Sequence, residues 1–464
     1  MALKAQDTSR QRGRMKTDYQ VVVLGGGPAG CATALALLNQ GVERILVVES
    51  SRYDKVRVGE SIPPDSGLLL RRLGVWDDFL AQEHEPCLGS CSSWGSDAVG
   101  YNDFLLNPHG NGWHLDRRRF DALLAHCAFR AGADVRIATR FEGCAGDASS
   151  GFRLRLRSNK PFTKAASTDR GFEKKSAGPV SETAKRTRAP RQDHGEHEVS
   201  ARFVVDATGP GARFARAQGA DRRHHDRLVC VMGFLQLTEA SNFSRLTFLE
   251  AVEYGWWYAA KLPGERLAVA VASDRRIIKN IGVADQEGWL SRLNQTRHLS
   301  RELSGTGLIP GSLKACTASS SLLVPSAGEG WLAVGDAAST YDPIASQGVH
   351  KALADGLQAG RAIASCLGGD QDGMRRYRPG TSRRFADYLS NRDSFYSMEQ
   401  RWPESDFWRL RRGATSASNP LTGQAPDQAD RSETHQPASL RSAAYAQAGA
   451  KRPGDGRPEN FHDQ

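Results

Sequence analysis

The chain has 464 residues, of which 39% are hydrophobic, so it is long enough to bury the cores of two domains. The formal net charge is +10, but Lys and Arg concentrate in aperiodic segments without stacking aromatic side chains, which argues against a nucleic-acid-binding surface. Eight scattered cysteines without a CxxC pair indicate reduced thiols and argue against a disulfide framework.

Three polar segments with few large apolar residues are predicted to be disordered: a basic tail at residues 1–17, an insert at 158–198 and a tail at 413–464. The apolar run at residues 21–24 is too short for a signal sequence or a membrane span. These features predict a cytoplasmic protein without a membrane span.

The first predicted elements form a dinucleotide-binding unit. A β-branched strand at residues 19–24 precedes the turn GGGPAG, a helix at 31–40 follows, and a second strand at 44–48 ends at an acid. The glycines allow a tight turn, close approach of a pyrophosphate and close packing of helix on strand, while the acid meets the ribose hydroxyls. The residues predicted to bind the adenosine diphosphate part of a cofactor are Gly25, Gly27, Pro28, Ala29, Gly30, Glu49 and Ser50.

Further strands follow along the chain. Residues 134–138, 152–157 and 201–205 show strand patterns, and the last of them ends in DATG at 206–209. Residues 227–273, which include GWWYAAKLPGERLAVAVASD, are rich in alternating and aromatic positions. This region is predicted to form a separate sheet on the substrate side of the molecule.

A second cofactor motif lies about three hundred residues after the first, in GWLAVGDAASTYDPIASQGVHKAL at 330–353. Asp336 ends a strand, where its carboxylate can hold a ribityl chain. Gly348 and Val349 begin a helix whose N–H groups can face the flavin pyrimidine oxygen, where negative charge builds on reduction. This second motif indicates FAD as the cofactor and not NAD alone, and no metal site is predicted.

The predicted fold class is α/β, with a Rossmann-like FAD-binding domain, a β-sheet substrate domain and a C-terminal helical segment. The FAD-binding domain is predicted to be discontinuous, at residues 18–85, 112–157, 199–226 and 326–370. The substrate domain is assigned to 86–111 and 227–325, and the C-terminal helices to 371–412.

The combination of GxGxxG, DATG and GDA…P…G resembles the flavoprotein monooxygenases and flavin halogenases that share the para-hydroxybenzoate hydroxylase fold. The resemblance implies that Arg117 lies near the FAD pyrophosphate and that the GES segment lies along the flavin. It adds Glu60, Ser61, Arg117, Pro343 and Gln347 to the cofactor-binding candidates.

The same fold hosts hydroxylation, halogenation and double-bond reduction, so local motifs must choose among them. Halogenases carry a WxWxIP motif and a lysine, whereas this chain has Trp256, Trp257 and Tyr258 followed by AAK, and no lysine at 86–94. Hydroxylation is therefore favoured. A halogenase, a reductase that saturates isoprenoid chains, and a binding protein with a relic fingerprint remain as alternatives.

Several distant blocks, among them VGESIPP, LRRLGVWDDFL, NPHGNGWHLDRRRFDALL and RWPESDFWRLRR, resemble the flavoproteins that mature quinone-cofactor amine and amino-acid oxidases. These include the lysine-oxidase and glycine-oxidase maturation proteins and the related flavoprotein of quinohemoprotein amine dehydrogenase. The likeness implies hydroxylation of a tryptophan in a partner precursor polypeptide, on the way to cysteine tryptophylquinone, through a flavin C4a-hydroperoxide.

Few obligatory catalytic side chains are expected, because the cofactor performs the difficult step. The pocket is expected to have aromatic walls that stack on an indole ring, and Trp113, Trp256, Trp257 and Tyr258 are the candidates for them. His114 is the candidate proton acceptor. The chain has no second GxGxxG motif, so the expected reductant is NAD(P)H or a partner flavin reductase.

Overall fold

The computed structural model describes residues 17–158, 195–239, 241, 243–370 and 372–412. Residues 1–16, 159–194 and 413–464 lie outside the described residues, and with them most of the three segments predicted to be disordered. None of the helices in the described ranges combines the length and the apolar character that crossing a bilayer requires.

The strands of the described part are β1 (Tyr19–Leu24), β2 (Ile45–Val48), β3 (Ser61–Ile62), β4 (Glu85–Cys87), β5 (Gly89–Ser93), β6 (Gly100–Asp103), β7 (Gly112–His114), β8 (Asp134–Arg136), β9 (Thr139–Asp147), β10 (Gly151–Ser158), β11 (Gly195–Asp206), β12 (Asp221–His224), β13 (Leu228–Gln236), β14 (Leu246–Val252), β15 (Gly255–Leu262), β16 (Arg266–Asp274), β17 (Gly307–Leu308), β18 (Lys314–Thr317), β19 (Ser321–Val324), β20 (Ala327–Gly328), β21 (Trp331–Ala333) and β22 (Ser339–Thr340). The helices are α1 (Pro28–Asn39), α2 (Ser66–Arg72), α3 (Trp76–Leu80), α4 (Arg117–Arg130), α5 (Arg213–Ala217), α6 (Arg275–Asn280), α7 (Gln286–Asn294), α8 (Leu299–Glu302), α9 (Gly348–Leu367), α10 (Asp372–Ser397) and α11 (Asp406–Arg412).

The first sheet is mostly parallel, in the order β20-β21-β11-β1-β2-β8, with β10 and β9 continuing antiparallel from β11. β1 is apolar along most of its length because both of its faces are buried, one against α1, α4 and α9 and the other against side chains of β10 and α5. Leu24 lies opposite both Val48 and Asp206, and Asp206 lies opposite Ala333. The carboxyl ends of four strands therefore meet at one edge, where open α/β sheets bind ligands.

Helices α1 and α9 are packed unusually closely because small residues face each other between them. A Cβ on Gly356 would stand 2.6 Å from the Cβ of Ala32, and one on Gly360 would stand 2.5 Å from the Cβ of Ala36. Alanine at either glycine would therefore push the helices apart. This contact holds the start of α9 beside the start of α1, although more than three hundred residues separate them in sequence.

The second sheet has the order β17-β13-β16-β15-β14-β5-β6, with β18 also on β13. Side chains alternate between its two faces, as the period of two requires. Trp256 and Tyr258 pack on one face with Tyr396 and Trp408 of the C-terminal helices. Trp257 packs on the opposite face, together with residues of α7. The sheet is thus buried on both sides.

The C-terminal helices are fastened to the second sheet by specific polar contacts. The Nε1 of Trp94 donates to the carbonyl oxygen of Phe395 at 3.1 Å. The Oε2 of Glu399 accepts from the N–H of Gly95 at 2.8 Å and from the guanidinium of Arg401. The fold therefore consists of a nucleotide-binding sheet with its helices, an antiparallel sheet, and C-terminal helices braced on that second sheet, which confirms the predicted fold class.

Two predicted boundaries differ from the structure. α1 begins at Pro28 and not at residue 31, because proline suits the first helical position and Gly27 takes the N-cap. Ser158 and residues 195–198, placed in the insert by composition, lie in strands that pair with each other up to Ser158 and Gly195. Cross-strand pairing thus extends further than the local composition indicated.

Candidate active site

One large cavity, of about 1090 Å³, lies between the carboxyl edge of the first sheet and one face of the second sheet. Its lining includes most of the predicted cofactor residues: Gly25, Gly27, Pro28, Ala29, Glu49, Ser50, Glu60, Ser61, Arg117, Asp336, Pro343, Gly348 and Val349. Gly30 and Gln347 are not among the lining residues. The fold therefore brings the two distant cofactor motifs into a single cavity.

The glycine turn has the geometry that close approach requires. Gly25 has φ +115°, and a Cβ there would stand 2.1 Å from the carbonyl oxygen of Ala207. A Cβ on Gly30 would stand 1.9 Å from the carbonyl oxygen of Gly25, so this residue serves helix packing behind the cavity. The wall left at Gly27 and Pro28 is bare backbone at a helix N-terminus, where a phosphate binds.

Glu49 is held as a buried acceptor at the end of β2. Its Oε2 accepts from the N–H of Gly26 at 2.9 Å, and its Oε1 accepts from the N–H of Ser51 at 2.8 Å. Burial opposes ionisation, but the hydrogen bonds from Ser51 and Gly26 and the charge of Arg57 together lower its pKa. The carboxylate is therefore ionised at neutral pH, and at the end of β2 it could accept ribose hydroxyls.

Two arginines share one buried carboxylate beside this turn. Arg117 donates from Nε and Nη2 to Asp121 at 3.1 and 3.2 Å, and from Nη1 to the carbonyls of Val58 and Gly59. Arg57 bridges Glu49 and Asp121, each at 3.1 Å. Arg117 thus holds the segment before β3 in place, and its guanidinium sits in the cavity wall.

Arg57 was not among the residues predicted to bind the cofactor, although it lies two residues before the GES segment. Its Nη1 is the atom nearest to a Cβ built on Gly27, at 3.6 Å. A second missed arginine, Arg222, donates to the carbonyls of Asp336 and Ala337. Both arginines line the cavity. Arg57 contacts Asp121, which is 64 residues away in sequence, and Arg222 contacts Asp336, which is 114 residues away, so no local motif predicts these contacts.

The flavin end of the cavity is formed by residues after β21 and at the start of α9. Gly335 has φ +57°, and a Cβ there would stand 2.6 Å from the Cβ of Ala29, so the two cofactor motifs touch. Nothing lies within 4 Å of a Cβ on Gly348, which leaves the helix start open toward a ligand. These features fit FAD, because one cavity combines glycine backbone, the acceptor Glu49, cationic walls and an open helix N-terminus.

The second sheet supplies the other end of the cavity through Cys230, Met232, Trp256, Tyr258 and Cys316. The Nε1 of Trp256 donates to the hydroxyl of Tyr396 at 3.0 Å, and that hydroxyl donates to Oδ2 of Asp342 at 2.7 Å. The hydroxyl of Tyr258 shares a hydrogen bond of 2.7 Å with Oγ of Ser61. The two aromatic walls are thus fixed in orientation, one of them by α10.

Three predicted pocket residues lie elsewhere. Trp257 faces away from the cavity, packs against Trp289 with ring centroids 5.2 Å apart, and donates to the Tyr254 hydroxyl. His114 is buried with Nε2 2.9 Å from Oγ1 of Thr247, and burial lowers its pKa to about 4. Trp113 packs edge-on against Phe79. Strand alternation explains Trp257, since its neighbours on both sides point into the cavity.

The described residues that line the cavity include no lysine. Lys261 follows the aromatic residues of β15 but takes the same face of the strand as Trp257. Its Nζ lies 3.9 Å from the carboxylate of Glu265. The lysine nearest to the WWY segment in sequence is therefore not part of the cavity.

Asp342 gives the protein a pH-dependent stability. Burial raises its pKa to about 6 from 3.8, with Asp226 adding to the increase and hydrogen bonds from Ile344 and Tyr396 opposing it. The folded state therefore keeps a proton that the unfolded chain has lost, and the free energy of unfolding falls as pH rises through this window. We expect Asp342→Asn to abolish about 2 kcal/mol of that fall between pH 4.5 and pH 7. Urea unfolding of both proteins at pH 4.5 and pH 7 measures it, and an identical fall in the variant would contradict the assignment.

Comparison with known proteins places this architecture in one family. The sequence profile described as tryptophan halogenase matches residues 20–436. LodB of Marinomonas mediterranea, described as an FAD-dependent oxidoreductase, is 26% identical over 403 residues, which cover 86% of this chain and 98% of LodB.

Two solved structures share the fold. The myxobacterial chondrochloren halogenase CndH, an FAD-dependent enzyme, superposes with a TM-score of 0.72 at 22% identity, covering 85% of each chain. QhpG, a peptidyl tryptophan dihydroxylase essential for tryptophylquinone cofactor biogenesis, superposes with a TM-score of 0.62 at 23% identity, covering 85% of this chain and 79% of QhpG. With a cavity whose lining residues fit FAD and a profile match over most of its length, the chain belongs to the tryptophan halogenase family of flavin-dependent enzymes.

Proposed function

We propose that this enzyme is an FAD-dependent monooxygenase that hydroxylates an aromatic ring, namely a tryptophan side chain of a partner precursor polypeptide during quinone-cofactor maturation. One observation carries the proposal: the cavity joins the FAD motifs to an aromatic-walled compartment whose described lining has no lysine. The similarity to LodB over nearly its whole length supports an FAD-dependent oxidoreductase, and the shared fold with QhpG, a peptidyl tryptophan dihydroxylase, supports the substrate class.

The chain's own residues would bind, orient and seal the substrate. Trp256 and Tyr258 offer rigid aromatic faces on which an indole can stack, and Tyr396 keeps Trp256 from rotating. Cys230 and Met232 complete an apolar wall that excludes water from the reacting ring. Bound FAD, once reduced, would supply the activated oxygen, so the protein's task is positioning.

Halogenation is the second candidate, because the family profile and CndH both carry that name. The flavin halogenases that this chain resembles carry a lysine that captures hypohalous acid. The described cavity lining offers six arginines and no lysine: Arg57, Arg117 and Arg222 are engaged with protein carboxylates or carbonyls, and Arg140, Arg213 and Arg216 also line the cavity. The geometry therefore favours oxygen transfer over halide transfer.

The test combines FAD-loaded protein, a reductant and a tryptophan-containing precursor polypeptide with isotopically labelled dioxygen, with and without added chloride or bromide. We expect labelled oxygen in the tryptophan side chain, in equal yield whether or not halide is present. Halogen in the product would overturn the proposal in favour of halogenation. Reduction of the substrate without consumption of oxygen would instead indicate a reductase that saturates double bonds.

The source of electrons is proposed to be NAD(P)H or a partner flavin reductase. The two are separated by following the oxidised-flavin absorbance of the anaerobic protein. Direct bleaching by NADH or NADPH alone supports the first. Bleaching only after a flavin reductase is added supports the second.

A further inference from the structure

Glu60 is a buried carboxyl in the cavity wall whose hydrogen bonding is incomplete. It immediately precedes β3, is 3% exposed, and lines the cavity together with Ser61 and Tyr258. Its Oε1 has no hydrogen-bond partner among the described residues. A buried acceptor without a hydrogen-bond partner destabilises the folded protein, so its retention in a cavity points to a ligand or a reaction.

The groups that face Glu60 come from four other elements. Arg117 of α4 is the cation, but its guanidinium is already bonded to Asp121 and to two carbonyls. Tyr258 of β15, Cys230 of β13 and Cys316 of β18 interact with the charge of Glu60.

Burial raises the pKa of Glu60 to about 7, although the Gly59 and Glu60 amides and Arg117 oppose the increase. Near neutral pH the carboxyl is thus divided between its acidic and basic forms. A pKa near the pH of the reaction favours general acid–base catalysis, because the group can then both take up and release a proton at a low cost in free energy.

No other buried group of the cavity lining is as well placed to accept a proton: Asp221, His224 and Asp336 also line the cavity but are exposed, and both oxygens of Glu49 accept backbone hydrogen bonds. Burial raises the pKa of the Tyr258 hydroxyl well above its ordinary value, and burial does the same to the Cys230 thiol. Both oxygens of Asp342 are engaged, by the N–H of Ile344 and the hydroxyl of Tyr396. His114, the histidine suggested from the sequence, lies outside the cavity lining. Glu60 is left as the acceptor with a free oxygen.

We infer that Glu60 accepts the proton that the substrate ring carbon releases during hydroxylation, an assignment that rests on the proposed function. A carbon–oxygen bond forms with one atom of dioxygen, and the C–H bond of that carbon then breaks. The electron pair of the C–H bond restores ring aromaticity, and the proton passes to the Glu60 carboxylate. The other oxygen atom leaves as water; the reaction consumes two electrons from the nicotinamide or flavin reductant and a net two protons, and Glu60 then passes its proton to solvent.

The experiment compares wild type, Glu60→Gln and the exposed, cavity-remote control Glu329→Gln, all loaded with FAD. Glu60→Gln is expected to lower kcat for precursor hydroxylation by about 10²–10³-fold, with little change in KM. It should also remove the rise of kcat with pH through about pH 7. Glu329→Gln should match wild type in each measurement.

A readout independent of turnover is the infrared carbonyl band of a protonated carboxyl, recorded on the FAD-loaded proteins without substrate. Between pH 6 and pH 8 both proteins should lose the remaining band of Asp342, and wild type should lose one further band that Glu60→Gln lacks. If wild type hydroxylates and Glu60→Gln keeps its rate and pH profile, the role of Glu60 is overturned while the proposed function stands. If wild type itself adds no oxygen to the precursor, the proposed function fails and the assignment fails with it.

Discussion

Replacing Gly27 with alanine is expected to leave the fold intact and to weaken FAD binding by about tenfold or more, whereas Gly30→Ala should prevent stable folding. A Cβ on Gly27 meets nothing closer than Nη1 of Arg57 at 3.6 Å, but it stands where a pyrophosphate must approach the backbone. A Cβ on Gly30 would lie 1.9 Å from the carbonyl oxygen of Gly25, a clash between backbone and helix that no side-chain rotation relieves.

Thermal unfolding without added cofactor, together with flavin fluorescence titration, separates the two effects. Gly307→Ala is the control, because its Cβ meets nothing within 4 Å and it does not line the cavity. Undiminished FAD affinity in Gly27→Ala would show that the pyrophosphate does not bind over this turn. A stable Gly30→Ala protein would contradict the packing account of that glycine.

The adjacent tryptophans of β15 are expected to separate stability from substrate binding. Trp257→Ala removes a fully buried ring that packs on Trp289, so we expect a loss of about 3–5 kcal/mol in the free energy of unfolding. At temperatures below its lowered melting temperature, the variant should keep the wild-type KM for the precursor polypeptide. Trp256→Ala should lose comparable stability and, in addition, raise KM, because its ring lines the cavity.

Urea unfolding and steady-state kinetics on the two proteins provide the comparison. Equal effects on KM from both variants would contradict the assignment of the two strand faces. Trp256→Phe adds a milder test, since it keeps an aromatic wall but removes the hydrogen bond to Tyr396.

The cofactor end of the site was predictable from local sequence. Gly25, Glu49 and Asp336 each follow the end of a strand, and the strands that carry them lie in one parallel sheet. Their chemistry depends on backbone turns and helix starts, which short spacings specify. The FAD motifs and the fold class therefore followed from patterns within a few tens of residues.

The substrate end was decided by tertiary structure. Alternation along β15 already implied that Trp257 takes the opposite face from Trp256 and Tyr258, but only sheet packing decided which face meets the cavity. Trp256 and Tyr396 are 140 residues apart, and the burial of Glu60 requires elements from distant parts of the chain to close around it. Contacts between such distant residues correspond to no short sequence motif, because they form only when separate elements pack together.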